Sequence, residues 1–443
     1  MKYTFYDKYI DSNVDWIGYI PFHWRVKRLK FLIEKGLQYG ANEAAELDDR
    51  ELPRYIRITD IDENGNLREN TFRSLPEEIA VNYLLKEGDI LFARSGATVG
   101  KTFLYRNSWG TCAYAGYLIK ASLKKLSVNP DFISYCTKSQ GYASWISSML
   151  IQATIQNVSA EKYASFIFPF PSLNEQISIA AFLDRETTRI DALIEKKKKL
   201  IELLKEKRTA LITRAVTKGL NKEIKMKPSG IEWLGEIPEH WEVKRLKEVS
   251  TINDDVLPEN TDPEYQVCYV DIGNVDKNDG IIGKEEFVFG NAPSRARRVV
   301  KDGDVIVSTV RTYLRAIAPI VDPKDNLIVS TGFAVVRPKL IDKGYLSFSL
   351  RSFYFINRVV SFSTGVSYPA ITSTILAKIK IPIPPSLNEQ AEISNYLNLK
   401  IEGFNNIEKK VQNLISKLQE YRTALISAAV TGKIRVGEGG KIS

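Results

Sequence analysis

The chain predicts an α/β fold built twice: mixed α+β globular parts, each followed by a long helix, the two helices able to form an antiparallel coiled coil. Three observations carry this. The sequence repeats itself at a period of about 215 residues. Short apolar, β-rich runs alternate with turn signals in the first part of each repeat. Composition then shifts abruptly to Leu, Ile, Glu, Lys and Ala.

The repeat is direct. Trp16–Lys30 returns as Trp233–Lys247 with 11 of 15 positions identical. Pro171-Ser-Leu-Asn-Glu-Gln176 returns as Pro385–Gln390, and Arg208–Ile212 with Ala215-Val-Thr217 returns as Arg422–Ile426 with Ala429-Val-Thr431. The offsets are 217, 214 and 214. This period is too long for a solenoid or propeller repeat, so each copy is a domain with an appendage. Two similar domains can present one surface twice about a pseudo-twofold axis, which suits a bipartite target such as duplex DNA.

Composition bounds the rest. A chain of 443 residues with 44% hydrophobic and 26% charged residues holds two or three ordinary globular cores. It has no 18-residue apolar run, and Met1–Lys8 lacks the apolar stretch of a signal peptide. The expectation is therefore a cytoplasmic protein with no membrane partner. Three cysteines, unmatched across the repeat, argue against a disulfide framework. A net charge of +9 favours polyanionic partners, modestly for this length.

The elements follow in order. Residues 1–170 form the first globular part, with strand-like runs at Tyr55–Ile58 and Asp89–Ala93, turn signals at Asp62–Gly65 and Lys86–Asp89, and helical stretches near Pro130–Ser148. Residues 171–218 form the first rod, entered through Pro-Ser and ended at Lys218-Gly219, where glycine suits a helix C-cap. Polar, basic residues 219–232 read as a linker. Residues 233–384 repeat the globular part, with strand-like runs at Asp304–Ser308 and Gly332–Val336 and helical stretches over Lys343–Val360. Residues 385–433 repeat the rod, and 434–443 read as a disordered tail.

Each rod of roughly 43 residues is about 65 Å long. The second carries a heptad of Phe404, Ile407, Val411, Leu414, Leu418, Tyr421, Leu425 and Ala428. In the same register the first has Ile190, Leu193, Lys197, Leu200, Leu204, Lys207, Leu211 and Arg214, three of them basic. The apolar members are the expected pairing residues of a coiled coil.

Catalytic and cofactor motifs are missing or imperfect. Ser95–Thr102 resembles a phosphate loop, but three residues separate its glycines where four are needed. Aligned on Ser95, the second copy reads Ser308-Thr-Val-Arg-Thr-Tyr-Leu314, without Gly-Lys. The two histidines, His23 and His240, are repeat equivalents inside Ile-Pro-x-His-Trp and have no metal-ligand cluster beside them. They read as packing partners of Trp24 and Trp241. No glycine-rich dinucleotide fingerprint occurs, and the acidic stretches Asp48–Glu51 and Lys284–Glu286 do not recur. The chain is expected to be no enzyme and to bind neither metal nor cofactor.

Basic, amide and hydroxyl residues do recur in the loops of the globular parts, where they can contact phosphates and base edges. The candidates in the first copy are Arg54, Arg57, Arg94, Ser95, Thr98, Lys101, Gln156 and Asn157. In the second they are Arg295, Arg298, Thr309, Arg311, Thr312, Tyr313, Arg315, Ser367 and Tyr368.

The doubled Ile-Pro-x-His-Trp-x-Val-x-Arg-Leu, Pro-Ser-Leu-Asn-Glu-Gln and Arg-Thr-Ala-Leu-Ile motifs, with Gly88–Lys101, resemble the specificity (S, or HsdS) subunits of Type I restriction-modification systems over about residues 15–433. The resemblance implies two target recognition domains and two helical regions that pair antiparallel. Each domain reads half of a gapped sequence in double-stranded DNA. The helices set the gap and dock two methyltransferase subunits, through which restriction/translocase subunits attach. S-adenosylmethionine, ATP and Mg serve those partners and not the S subunit. The divergent Ser308–Leu314 loop departs from the first copy. Two other readings remain open at this point: the recognition subunit of a Type II-like combined restriction-methylation enzyme, and a coiled-coil scaffold without DNA specificity.

Overall fold

The structure is a computed structural model; it describes residues 4–62, 65–96, 98–151 and 157–437. The chain divides into two compact units, one of residues 1–196 with 413–443 and the other of residues 197–412. The sequence places the divisions at the ends of the rods. Instead each unit takes one globular part and half of both long helices, Leu173–Lys218 and Leu387–Val430.

The two units share a plan. In the first, an antiparallel hairpin joins Tyr9–Asp11 to Tyr19–Pro21, and Arg25–Arg28 pairs with Ile167–Phe170, clasping the start of the globular part to its end. In the second, Met226–Pro228 joins Glu236–Pro238, and Glu242–Arg245 pairs with Lys380–Ile383. The segment expected as linker 219–232 thus contributes a strand. Its Lys-Met-Lys-Pro sequence is polar because it lies in a two-stranded ribbon with half-exposed faces.

Each unit contains an antiparallel four-stranded sheet of the same order. It runs Gln38–Tyr39, Leu118–Ala121, Ile90–Ala93, Thr102–Leu104 in the first unit. Its counterpart runs Ser250–Ile252, Phe333–Pro338, Val305–Ser308, Ile317–Pro319. The strands Ile90–Ala93 and Val305–Ser308 are buried throughout, so their apolar runs have no alternation to show. Both are entered by the same turn. Gly88 and Gly303 sit at φ +83° and +86°, and the Asp89 and Asp304 carboxylates accept from the Lys86 and Lys301 amides at 2.9 and 2.7 Å. The second unit adds a four-stranded sheet in which Gln266–Val270 lies parallel to Leu327–Ser330, matching the smaller parallel pair Arg54–Ile56 with Cys112–Tyr114.

The long helices begin on the same contact in both copies. Glu175 in the first turn of its helix accepts from Trp24 Nε1 at 3.1 Å and lies 2.8 Å from His23 Nε2. Glu389 does the same with Trp241 and His240, at 2.9 Å each. The next residue is a buried glutamine: Gln176 accepts from the Asn129 amide and Gln390 from the Asp342 amide, both at 2.8 Å. The doubled motifs are therefore two halves of one structural latch. The sequence reads the histidines as packing partners of the tryptophans, whereas both are exposed and join the latch through the carboxylate that their neighbouring tryptophan also bonds.

The helices end on glycines in left-handed conformation, Gly219 at φ +72° and Gly432 at +71°. A β-carbon on Gly432 would meet Pro21 at 2.4 Å, so only glycine fits. Beyond it, Ile434 and Val436 are buried and Arg435 bridges Thr4. The expected disordered tail is thus ordered over 434–437, where apolar side chains find a core; 438–443 lie outside the described residues.

Candidate nucleic-acid interface

The loops after the central strands build one site in each unit, on the same backbone turn. Ala93 pairs with Leu118 and Ser308 with Phe333. From these anchors hydrogen bonds match one for one: Arg94 N to Tyr117 O and Thr309 N to Gly332 O, Val99 N to Gly96 O and Leu314 N to Arg311 O, Ala93 N to Lys101 O and Ser308 N to Ala316 O. A second loop closes each turn. Val158 N donates to Arg94 O and Ile371 N to Thr309 O, both at 2.8 Å, while Ser95 bridges Asn157 and Val310 bridges Ala370.

This geometry corrects the alignment on Ser95. Ser308 is the counterpart of Ala93, so Thr309 matches Arg94, Arg311 matches Gly96, and Arg315 matches Gly100. The slip of two residues arose because Ser is common to both loops while the strand register is invisible in the sequence.

In the first unit the candidates divide. The Arg94 guanidinium stacks 4.8 Å from the Tyr39 ring, and its Nε is buried without a partner among the described residues. Asn157 Oδ1, next to it through the Ser95 bridge, is likewise buried and unsatisfied. Ser95 and Thr98 are half-buried and Lys101 is exposed. Gln156 lies outside the described residues. Arg54 and Arg57 do not join this group. Arg54 is buried, donating to Glu69 at 3.2 Å and to Arg68 O at 2.7 Å. Arg57 forks onto Asp60 at 2.8 and 3.1 Å and reaches Thr71 O. Both guanidiniums are held by nearby acceptors because Asp60 and the 68–71 turn fold back beside the strand, which the sequence does not reveal. Two exposed aromatics absent from the sequence candidates flank the site, Tyr39 and Tyr117. Nothing in their sequence context sets them apart from core tyrosines.

In the second unit Arg311, Tyr313, Arg315, Ser367 and Tyr368 are all exposed, and the Arg311 guanidinium lies 5.1 Å from the Tyr368 ring. Thr309 and Thr312 support the loop: Thr309 Oγ1 donates to Gly332 O at 2.8 Å, and buried Thr312 bonds Ser363 Oγ at 2.8 Å. Arg295 is exposed beside them, its carbonyl accepting from Thr331 N. Arg298 is half-buried; burial lowers its pKa, and its Nε has no partner among the described residues. A cleft of about 1360 Å³ opens by Arg315, lined also by Lys205, Arg208, Lys277, Lys284 and Arg351. Burial, and then the like charge of Arg208, push Arg351 down to about 10. Glu202, Glu206 and Asp279 line it too, and the excess of cations over these carboxylates suits phosphate.

The long helices meet within each unit. In the first, Arg422 Nε lies 2.9 Å from Asp191. In the second, Lys205 lies 3.3 Å from Glu408 and Arg208 donates to Asn405 at 3.3 Å; one number rises as the other falls, so the helices run antiparallel. The least exposed stripes are Ile190, Ile194, Lys197, Ile201, Leu204, Arg208, Leu211, Ala215 on the first helix and Ile401, Phe404, Glu408, Val411, Ile415, Leu418, Arg422, Leu425 on the second. Seven of the expected pairing residues lie on these stripes: Ile190, Leu204, Leu211, Phe404, Val411, Leu418 and Leu425. Leu193, Ile407, Leu414 and Tyr421 are exposed instead, while Leu200 is half-buried one position from the stripe. Each displaced position moves by one, because the ion pairs place Asp191, Lys205, Glu408 and Arg422 at or beside the seam where an apolar count expects none.

Among the described residues no cluster of His, Cys, Asp or Glu could hold a metal, no helix is long and apolar enough to cross a membrane, and the three cysteines are free and buried.

Two recognition modules on an antiparallel helix pair define a DNA-specificity chain, and comparison with known proteins agrees. Residues 23–203 and 238–417 both match the Type I restriction modification DNA specificity domain, so the chain belongs to that family. It is similar to the MjaVIII specificity subunit of Methanocaldococcus jannaschii, 26% identical over 94% of each chain. The EcoKI specificity subunit of Escherichia coli K12 is 23% identical over 94% of this chain and 90% of its own. Among solved structures, a chain from work on complex assembly and conformational transition of the type I R-M system aligns over 95% of this chain and 99% of its own, with a TM-score of 0.65 and 17% identity. The HsdS subunit of Thermoanaerobacter tengcongensis aligns over 94% and 98%, with a TM-score of 0.54 and 18% identity. As a specificity subunit with two target recognition domains, the chain is not the catalyst of its system.

Proposed function

We propose that each globular part reads one half of a gapped sequence in double-stranded DNA, and that the paired helices fix the gap. The observation that carries this reading is the doubled turn. The same loop, closed by the same second loop, stands at the same place in both units, yet bears different polar residues. One scaffold presenting two side-chain sets suits two unlike half-sites. Exposed Arg311, Tyr313, Arg315 and Tyr368 in one unit, and Arg94, Asn157, Tyr39 and Tyr117 in the other, have the arginine, amide and aromatic chemistry of base-edge and backbone contact. The cation-rich cleft by Arg315 supplies phosphate contacts. A scaffold without specificity has no use for such divergence.

The helices serve in addition as the dock for two methyltransferase subunits, with restriction/translocase subunits attached through them. Exposed apolar residues on the helices, among them Leu193, Leu203, Ile407 and Leu414, give such partners a surface. S-adenosylmethionine, ATP and Mg are used by those subunits, in the cytoplasm. Sequencing of methylated bases in a host carrying the complete system tests the reading. A single bipartite motif with a fixed gap is expected; a contiguous motif, or no motif that depends on this chain, refutes it.

A further inference from the structure

In the first unit the turn after the central strand has glycine at both positions that need a left-handed backbone, Gly96 at φ +77° and Gly100 at φ +84°. In the second unit the same two positions hold arginine, Arg311 at φ +51° and Arg315 at φ +54°. An L-residue with a β-carbon is strained there where glycine is not. The local contact that offsets this is exposed: the Arg311 guanidinium lies 5.1 Å from the Tyr368 ring. Both side chains are exposed, and neither forms an ion pair with any described residue. Gly96 shows that the position itself is roomy, with nothing within 4 Å of a β-carbon placed on it. Arg311 lies over the exposed ring of Tyr368, on the loop that closes the turn, and Arg315 stands at the mouth of the cation-lined cleft.

Two exposed arginines without an ion-pair partner among the described residues thus occupy left-handed positions on a turn whose sister copy uses glycine. We propose that Arg311 and Arg315 are specificity-determining residues of the second recognition domain, each forking onto a base edge of its half-site. The first domain carries its arginine elsewhere on the same turn, at Arg94, where the second has Thr309. The two domains therefore address different base-pair positions from one backbone frame, and the half-sites differ for that reason. This proposal rests on the DNA-reading function proposed above.

The test uses the full chain with its partner subunits in the host, with methylated motifs sequenced for wild type, Arg311→Gly, Arg315→Gly and the corresponding Lys variants, and with the melting temperature of each purified chain. Glycine relieves the left-handed strain, so Tm should hold or rise by about a degree or two. Each Gly variant should lose discrimination at one base pair of a single half-site, on the order of tenfold to a hundredfold. The other half-site and the gap should not change. Lysine keeps the charge and loses the fork, so it should retain overall affinity yet stay relaxed at that base pair. An unchanged motif in both Gly variants overturns the proposal. So does a fall in Tm of several degrees, which would mean a structural role, or a loss of methylation that lysine restores with full specificity, which would mean a phosphate contact. A wild-type motif without two halves refutes the underlying reading instead of the arginines.

Discussion

At the scale of single residues, burial separates arginines that look alike in the sequence. Arg54 opens a β-rich run and Arg311 follows one, but the first is buried against Arg68 O, Glu69 and the Phe72 ring, 5.4 Å away, and the second is exposed. Arg54→Ala should lower the unfolding free energy by about 2 kcal/mol through lost bonds and packing. The urea midpoint reads this, and a change in base preference at unaltered stability would contradict it. The latch carboxylate offers a pH test. Burial alone would raise the pKa of Glu175, yet hydrogen bonds from His23, Trp24 and Ser172 outweigh it and hold the group below its ordinary 4.5. A carboxylate depressed on folding contributes stability above its unfolded pKa, and the contribution is lost as pH falls through the folded value. Wild type should therefore exceed Glu175→Gln in stability at neutral pH, and the two should converge below about pH 4. Parallel curves across the acid range would show that the latch charge plays no part.

At the scale of elements, the helix seam decides between two registers one residue apart. Ile415 is buried and Leu414 exposed, so Ile415→Ala should cost about 2–4 kcal/mol and Leu414→Ala less than about 1 kcal/mol. The opposite order would restore the register counted from apolar residues. Much of this level was legible in advance. The rods, their glycine ends, the central strands and the doubled plan follow from periodicity, composition and internal repetition, which are local signals. The seam was half legible, since Glu408 and Arg422 occupy core-facing positions that only their partners on the other helix explain. The site was legible as two loops and illegible as contacts. Arg57 is claimed by Asp60, and Tyr39 is brought to Arg94 by strand pairing, both matters of tertiary position. Even the match between copies of the turn required strand register, because Arg311 and Gly96 share a backbone conformation and no chemistry.

At the scale of the whole molecule, the paired helices are proposed to convert chain length into DNA spacing, and insertion tests that conversion. Matched insertions after Lys196 and Gln412 leave each compact unit intact, with its ion pairs Asp191–Arg422 or Lys205–Glu408. Four added residues advance a helix by about 6 Å and turn it by about 400°, a net 40°. DNA advances about 3.4 Å and turns about 34° per base pair in the same right-handed sense. The net rotation therefore fits one base-pair step and the translation nearly two. A four-residue insertion is also a stutter that a coiled coil absorbs by local unwinding. The methylated motif should keep both half-sites while its gap lengthens by one to two base pairs. Two added residues advance about 3 Å but turn about 200°, leaving one domain facing away from its groove, so methylation should be abolished at a melting temperature near wild type. Seven residues preserve the heptad and advance about 10.5 Å with a net turn of about −20°, whereas DNA turns about 105° over the same distance. That variant should keep the best seam and yet methylate poorly. If activity instead follows seam quality, with seven residues tolerated and four rejected, the helices act as a clamp and the gap is set elsewhere.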